Sequence, residues 1–67
     1  MPYVNIKITK EGATQDQKAR LIQGVTELLV EVLGKNPKTT FVIIEEVETD
    51  NWGINGESVT VRRQKGM

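Results

Sequence analysis

The sequence contains no cysteine and no histidine. A disulfide framework and a Cys/His zinc site are therefore excluded. The Ser-His-Asp and Cys-His catalytic arrangements are excluded too, because both need an imidazole. Any acid–base chemistry must come from a carboxylate, a lysine, a tyrosine or an amino terminus. Neither sign of charge is in excess, since 9 Lys+Arg balance 9 Asp+Glu. A domain built mainly to hold nucleic acid would carry a basic surplus, so no nucleic-acid partner is expected. Long apolar runs are also missing. Phe41-Val42-Ile43-Ile44 is far too short to span a bilayer, and Met1-Pro2-Tyr3-Val4-Asn5-Ile6-Lys7 lacks the unbroken apolar stretch of a signal peptide. The expectation is a cytoplasmic protein with no membrane partner, which the lack of cysteine suits.

At 67 residues the chain is expected to form one domain spanning residues 1–67. A chain of this size buries only roughly 60% of its unfolded surface. Ordering it costs on the order of 100 kcal/mol, at roughly 1.5 kcal/mol per residue. With no disulfide or metal to help, burial against further copies of the same chain is expected.

What is present divides into readable segments. Residues 3–9 alternate with a strand period, placing Pro2, Val4, Ile6 and Ile8 on one face and Tyr3, Asn5, Lys7 and Thr9 on the other. Lys10-Glu11-Gly12-Ala13 reads as a loop. Thr14 and Gln17 form a capping-box pattern, and Asp16 suits the positive end of a helix dipole. Leu21, Ile22, Val25, Leu28, Leu29, Val32 and Leu33 then recur at spacings of three and four, the stripe of a helix of about five turns. Gly34 is placed to end it, and Pro37 prevents its resumption. Thr40–Val47 is rich in β-branched residues and apolar on both parities at its front, which predicts a strand covered on both faces. The order strand–helix–strand predicts a β-α-β unit with parallel strands. Asn55-Gly56 signals a tight turn, and Val59-Thr60-Val61 is expected to form a short third strand before Arg62-Arg63-Gln64-Lys65.

Four features invite a chemical reading. The acidic cluster Glu45, Glu46, Glu48 and Asp50 departs from a calcium loop: counted from Glu48, Trp52 occupies a ligand position and Val59 the place of the terminal glutamate. It reads as a solvated strand end, with no metal. Arg62, Arg63 and Lys65 form either a charged tail or an anion site. Trp52, the only tryptophan, suits a subunit interface or the wall of an apolar pocket. Pro2 suits the start of a strand, where its missing N–H matters little. It has a second use. A small residue after the initiator methionine directs removal of that methionine, leaving a secondary amine over the apolar face of Val4, Ile6 and Ile8. Desolvation disfavours the charged form of such an amine, which would make it an available general base.

Met1-Pro2, the capped helix, the apolar second strand, and Trp52-Gly53-Ile54-Asn55-Gly56-Glu57-Ser58 followed by Arg62-Arg63 together resemble the 4-oxalocrotonate tautomerase family over nearly the whole chain. The resemblance implies an α+β fold, a β-α-β subunit with a C-terminal hairpin, assembled as a homohexamer, a trimer of dimers. It implies cofactor-free enol–keto tautomerisation of a 2-hydroxy-dienoate or enolpyruvate-like acid, with Pro2 as base once Met1 is removed. Trp52 falls where the family keeps an aromatic pocket wall, and Arg63 matches a C-terminal arginine. The pattern differs at two positions. Arginines that anchor a dicarboxylate are replaced by Ala13 and Phe41, which leaves Lys10, Lys38 and Arg62 as possible substitutes. A pocket containing Phe41 and Trp52 suits a mono-acid enol. The rival reading is a non-catalytic oligomeric binding or scaffold module that retains the fold.

Overall fold

The computed structural model describes residues 1–66. Strand β1 (Tyr3–Thr9) runs parallel to β2 (Phe41–Val47), with Tyr3 opposite Phe41 and Thr9 opposite Val47. Helix α1 (Gln15–Leu33) makes the crossover. Parallel neighbours cannot be joined by a tight turn, so the long helix is what the pairing requires. A 3-10 turn at Pro37–Thr39 leads into β2, and another at Thr49–Asn51 leaves it. A hairpin follows, formed by β3 (Gly53–Ile54) and β4 (Glu57–Ser58), and then a short helix α2 (Val59–Gln64).

The capping predicted for α1 is present. Thr14 Oγ1 accepts from the Gln17 N–H at 3.1 Å, and Gln17 Oε1 accepts from the Thr14 N–H at 2.9 Å. Gly34 closes the helix at φ 64°, a left-handed conformation that glycine adopts without a Cβ clash. In the hairpin turn Asn55 and Gly56 both have positive φ, 53° and 84°, the conformation that a two-residue loop between twisted strands demands.

The last element differs from expectation. Val59-Thr60-Val61 is helical and not a short strand, and the described residues form two two-stranded sheets, the second being the expected C-terminal hairpin. Local hydrogen bonding overrides the β-branched composition here. Ser58 Oγ caps the helix by accepting from the Val61 N–H at 3.2 Å, and Arg62 and Arg63 complement the dipole in the last turn. Val59 is also the one buried residue among those described.

Helix α1 covers only one face of the main sheet. Its residues Lys18, Val25 and Leu29 are half-buried, and Lys18 pairs with Glu46 on the covered face. Leu21, Leu28 and Val32 lie along one flank of the predicted stripe and remain exposed, as do Ile22 and Leu33 on the other flank. The opposite sheet face is uncovered: Tyr3, Phe41 and Ile43 are 61%, 54% and 44% exposed. The expected two-sided cover of β2 is therefore not supplied by the chain itself. The radius of gyration is 15.4 Å, against about 11 Å for a compact domain of this length. The accessible surface is 5145 Å², against about 4,200 Å² for a folded monomer of this mass.

Two outcomes follow from this geometry. Thr14→Ala removes one half of a satisfied capping box and should lower stability by about 1 kcal/mol in chemical denaturation. Sedimentation at micromolar concentration should detect oligomer and no persistent monomer, because the lone chain leaves both sheet face and helix flank uncovered.

Candidate active site

Pro2 precedes β1 and is half-buried, while Met1 before it is 87% exposed. The Pro2 carbonyl accepts the Phe41 N–H at 3.0 Å, which fixes the start of β1 to the start of β2. With Met1 attached the Pro2 nitrogen is an amide. Hydrolysis of that one peptide bond converts it to a secondary amine at the same place. The chain thus brings Pro2 and Phe41 together. Their side chains point to opposite faces, Pro2 to the face shared with Val4 and Phe41 to the uncovered face beside Tyr3.

Trp52 and Arg63 belong to the opposite end of the sheet. Beyond β2, the Asn51 N–H donates to the Glu48 carbonyl at 2.8 Å, and the chain reaches Trp52 through the Thr49–Asn51 turn. The Trp52 carbonyl accepts the Val59 N–H at 2.8 Å, seating α2 beneath it. Thr49 and Thr60 hydroxyls lie 2.6 Å apart and reinforce the same junction. Arg63 pairs with Glu11 in the loop after β1, and Glu11 also accepts from the Thr9 hydroxyl. Seven strand residues separate the two ends, about 20 Å at the usual rise. Pro2 and Phe41 at one end and Trp52 and Arg63 at the other cannot line one small-molecule pocket within a single chain.

Ala13 lines a shallow groove of about 490 Å³ with Gln17, Arg20 and Leu21. Of the possible substitute cations, Lys10 is paired with Glu48 at 3.3 Å, whereas Lys38 stands in the turn before β2, at the same end of the sheet as Pro2. The acidic cluster is divided between faces and partners. Glu45 meets Asn5 at 2.6 Å and Lys7 at 3.2 Å on the uncovered face, Glu46 meets Lys18 on the helix side, and Asp50 accepts from Thr60. No three of these carboxylates converge among the described residues. One feature was not visible in the sequence. The Nε of Arg62 is buried without an acceptor among the described residues, although Arg62 had looked like one charge of a basic tail.

A family model described as "Tautomerase enzyme" matches residues 2–62. The chain is 72% identical over 65 residues to "Probable tautomerase K2" of Dickeya dadantii (strain 3937), covering 97% of each chain. It is 37% identical over 60 residues to the "2-hydroxymuconate tautomerase" of Bacillus subtilis (strain 168), covering 90% of this chain and 95% of that one. Among solved structures it is similar to DmpI from Helicobacter pylori, with a TM-score of 0.88 and 49% identity over 97% of this chain and all of that one.

The Glu11 carboxyl is held below the usual glutamate range, first by the Thr9 hydroxyl and then by Arg63. Because the folded value is lowered, the tether between α2 and the first loop is fully present above the ordinary glutamate pKa. It is lost as pH falls through the lowered value. In a carboxyl NMR titration, Glu11 should titrate at lower pH than an unperturbed glutamate, and Thr9→Val or Arg63→Gln should each move its midpoint back up.

Proposed function

Because the chain belongs to the tautomerase family, an enzyme family of isomerases, we propose that it is a cofactor-independent enol–keto tautomerase in which Pro2, freed by removal of Met1, is the general base. The observation that most directly supports the assignment is the placement of Pro2, half-buried just before β1 on the face it shares with Val4, where removal of Met1 would leave a secondary amine. The substrate class is a 2-hydroxy-dienoate or an enolpyruvate-like acid. The name of the Bacillus subtilis relative supports a conjugated 2-hydroxy acid. Ala13 and Phe41, neither of them cationic, favour an acid with a single carboxylate to anchor.

The reaction needs one group that first accepts and then donates a proton. The neutral Pro2 amine takes the proton from the enol oxygen. As that O–H bond breaks, the C=O bond forms and the electron pair of the enol C=C moves out along the conjugated system. The resulting ammonium returns the proton to carbon, forming the new C–H bond and restoring the free amine. Apolar neighbours assist the first step by disfavouring the charged amine before substrate arrives. Phe41 and Trp52 supply apolar walls that exclude water, and Arg63, tethered by Glu11, flanks the Trp52 side. Since these groups lie about 20 Å apart in one chain, the working site combines the Pro2 end of one copy with the Trp52 end of another. We assign the assembly as a homohexamer built from dimers.

In protein shown by intact mass to lack Met1, Pro2→Ala should lower kcat/KM for enol ketonisation by about a hundredfold or more while sedimentation stays unchanged. In the unsubstituted protein, activity should scale with the fraction of chains lacking Met1. An unchanged rate in Met1-free Pro2→Ala protein would refute the mechanism. Trimmed wild-type protein inert towards both mono- and diacid enols would favour a scaffold role.

A further inference from the structure

In a 2-hydroxy acid the carboxylate carbon is bonded directly to the carbon that bears the enol oxygen. Pro2 takes its proton from that oxygen, so the group that anchors the carboxylate belongs beside Pro2. The cations at the Trp52 end, which a second copy would bring to the site, are already engaged. Lys10 meets Glu48, Arg63 meets Glu11, and Arg62 and Lys65 share Glu57. The Pro2 end is charged differently. No Asp or Glu occurs in residues 1–10 or 32–44, and the turn before β2 brings Lys35 and Lys38 to this end. Glu45, the first acidic residue of β2, is held by Asn5 and Lys7. Glu31, the last carboxylate of α1, is exposed and makes no ion pair among the described residues. Lys35 and Lys38 are exposed and unpaired among the same residues, so an anion can reach either of them.

We propose that Lys38 is the cation that binds the substrate carboxylate beside Pro2. The proposal rests on the tautomerase reading above and supplies the anchor that Ala13 and Phe41 do not. The register that sets Tyr3 opposite Phe41 brings Thr40 alongside Pro2, and the Phe41 N–H donates to the Pro2 carbonyl at 3.0 Å. Lys38 lies two residues before Thr40. Two residues span at most about 7 Å and neighbouring strands lie about 4.8 Å apart, so the two Cα atoms are within about 12 Å. A lysine stem, one hydrogen bond and the adjoining carboxylate and enol oxygen together bridge that gap. The turn itself is fixed. Asn36 Oδ1 accepts the Lys38 N–H at 2.9 Å, the Asn36 carbonyl accepts from the Thr40 hydroxyl at 2.8 Å, and Pro37 holds the first position. Only the lysine side chain remains to be ordered when an anion binds. Lys35 is placed otherwise, just after Gly34 at the C-terminus of α1, where a cation complements the helix dipole. A carboxylate next to the enol therefore meets Lys38, while the far carboxylate of a diacid finds the Trp52-end cations already paired.

The test uses Met1-free protein with phenylenolpyruvate and its methyl ester. Lys38→Gln should raise KM for the acid roughly tenfold and leave kcat, and both constants for the ester, nearly unchanged. Lys38→Arg should recover most of the loss, and Lys35→Gln should leave KM for the acid as it was. An unchanged KM in Lys38→Gln, an equal loss on the ester, or an equal loss in Lys35→Gln would overturn the assignment. The last of these would mean a diffuse positive field in place of an anchor. A second measurement is independent of turnover. Titration of trimmed wild-type protein with 3-phenylpropionate should shift the Lys38 Cε–H NMR cross-peak, and 3-phenylpropionamide should not. A cross-peak that ignores the acid also overturns the assignment. Inactive trimmed wild-type protein with a responsive cross-peak would instead refute the tautomerase mechanism and leave the anion anchor standing.

Discussion

The parallel pairing of β1 with β2 is the interaction on which the rest of the molecule depends. It aligns Tyr3 with Phe41 and Thr9 with Val47, and it demands a crossover long enough to return the chain to its starting end. A chain of 67 residues can supply one such helix and little more. One sheet face is therefore covered and the other is not, and among the described residues only Val59 is buried. The apolar surface on Tyr3, Phe41, Ile43 and the flanks of α1 would be a liability in a monomer. In an assembly it becomes the material from which a core is made.

The same pairing fixes where chemistry can occur. Parallel strands place both starts at one end and both finishes at the other. Pro2 and Phe41 inherit the first end. Trp52, Glu11, Ala13 and Arg63 inherit the second. The hairpin and α2 form a compact attachment at that second end, held by Val59 under Trp52, by the Thr49–Thr60 contact and by the Arg63–Glu11 pair. Lys7, Lys10, Lys18, Arg63 and Lys65 each meet a carboxylate close by, so most of the charge around the two sheet ends is neutralised locally.

Much of the fold was legible in the sequence because it rests on local signals. The Thr14/Gln17 capping box, the stop at Gly34 and the Asn55-Gly56 turn each depend on a few adjacent residues. The β-α-β order followed from two periods, two in the strands and 3.6 in the helix. Val59-Thr60-Val61 was misjudged because β-branched composition suggested a strand, while Ser58 and the burial of Val59 hold it in a helix. The apolar stripe of α1 revealed amphipathicity but not that a two-stranded sheet is too narrow to cover all of it. Pro2 could be singled out as a candidate base because its chemistry depends on one position in the chain. The relation between Pro2 and Trp52 was not legible, since it depends on strand direction and length. The burial of the Arg62 Nε was not legible either, because it depends on how a hairpin and a helix pack.

The separation of the two ends has a genetic consequence. A copy damaged at Pro2 still carries an intact Trp52 end, and a copy damaged at Trp52 still carries an intact Pro2 end. If a working pocket joins one end from each of two copies, two individually silent alleles can restore activity when expressed together. Mixed assemblies of this kind would contain some pockets with both lesions and some with neither. Partial dominance and interallelic complementation would then arise from a single gene with no second function.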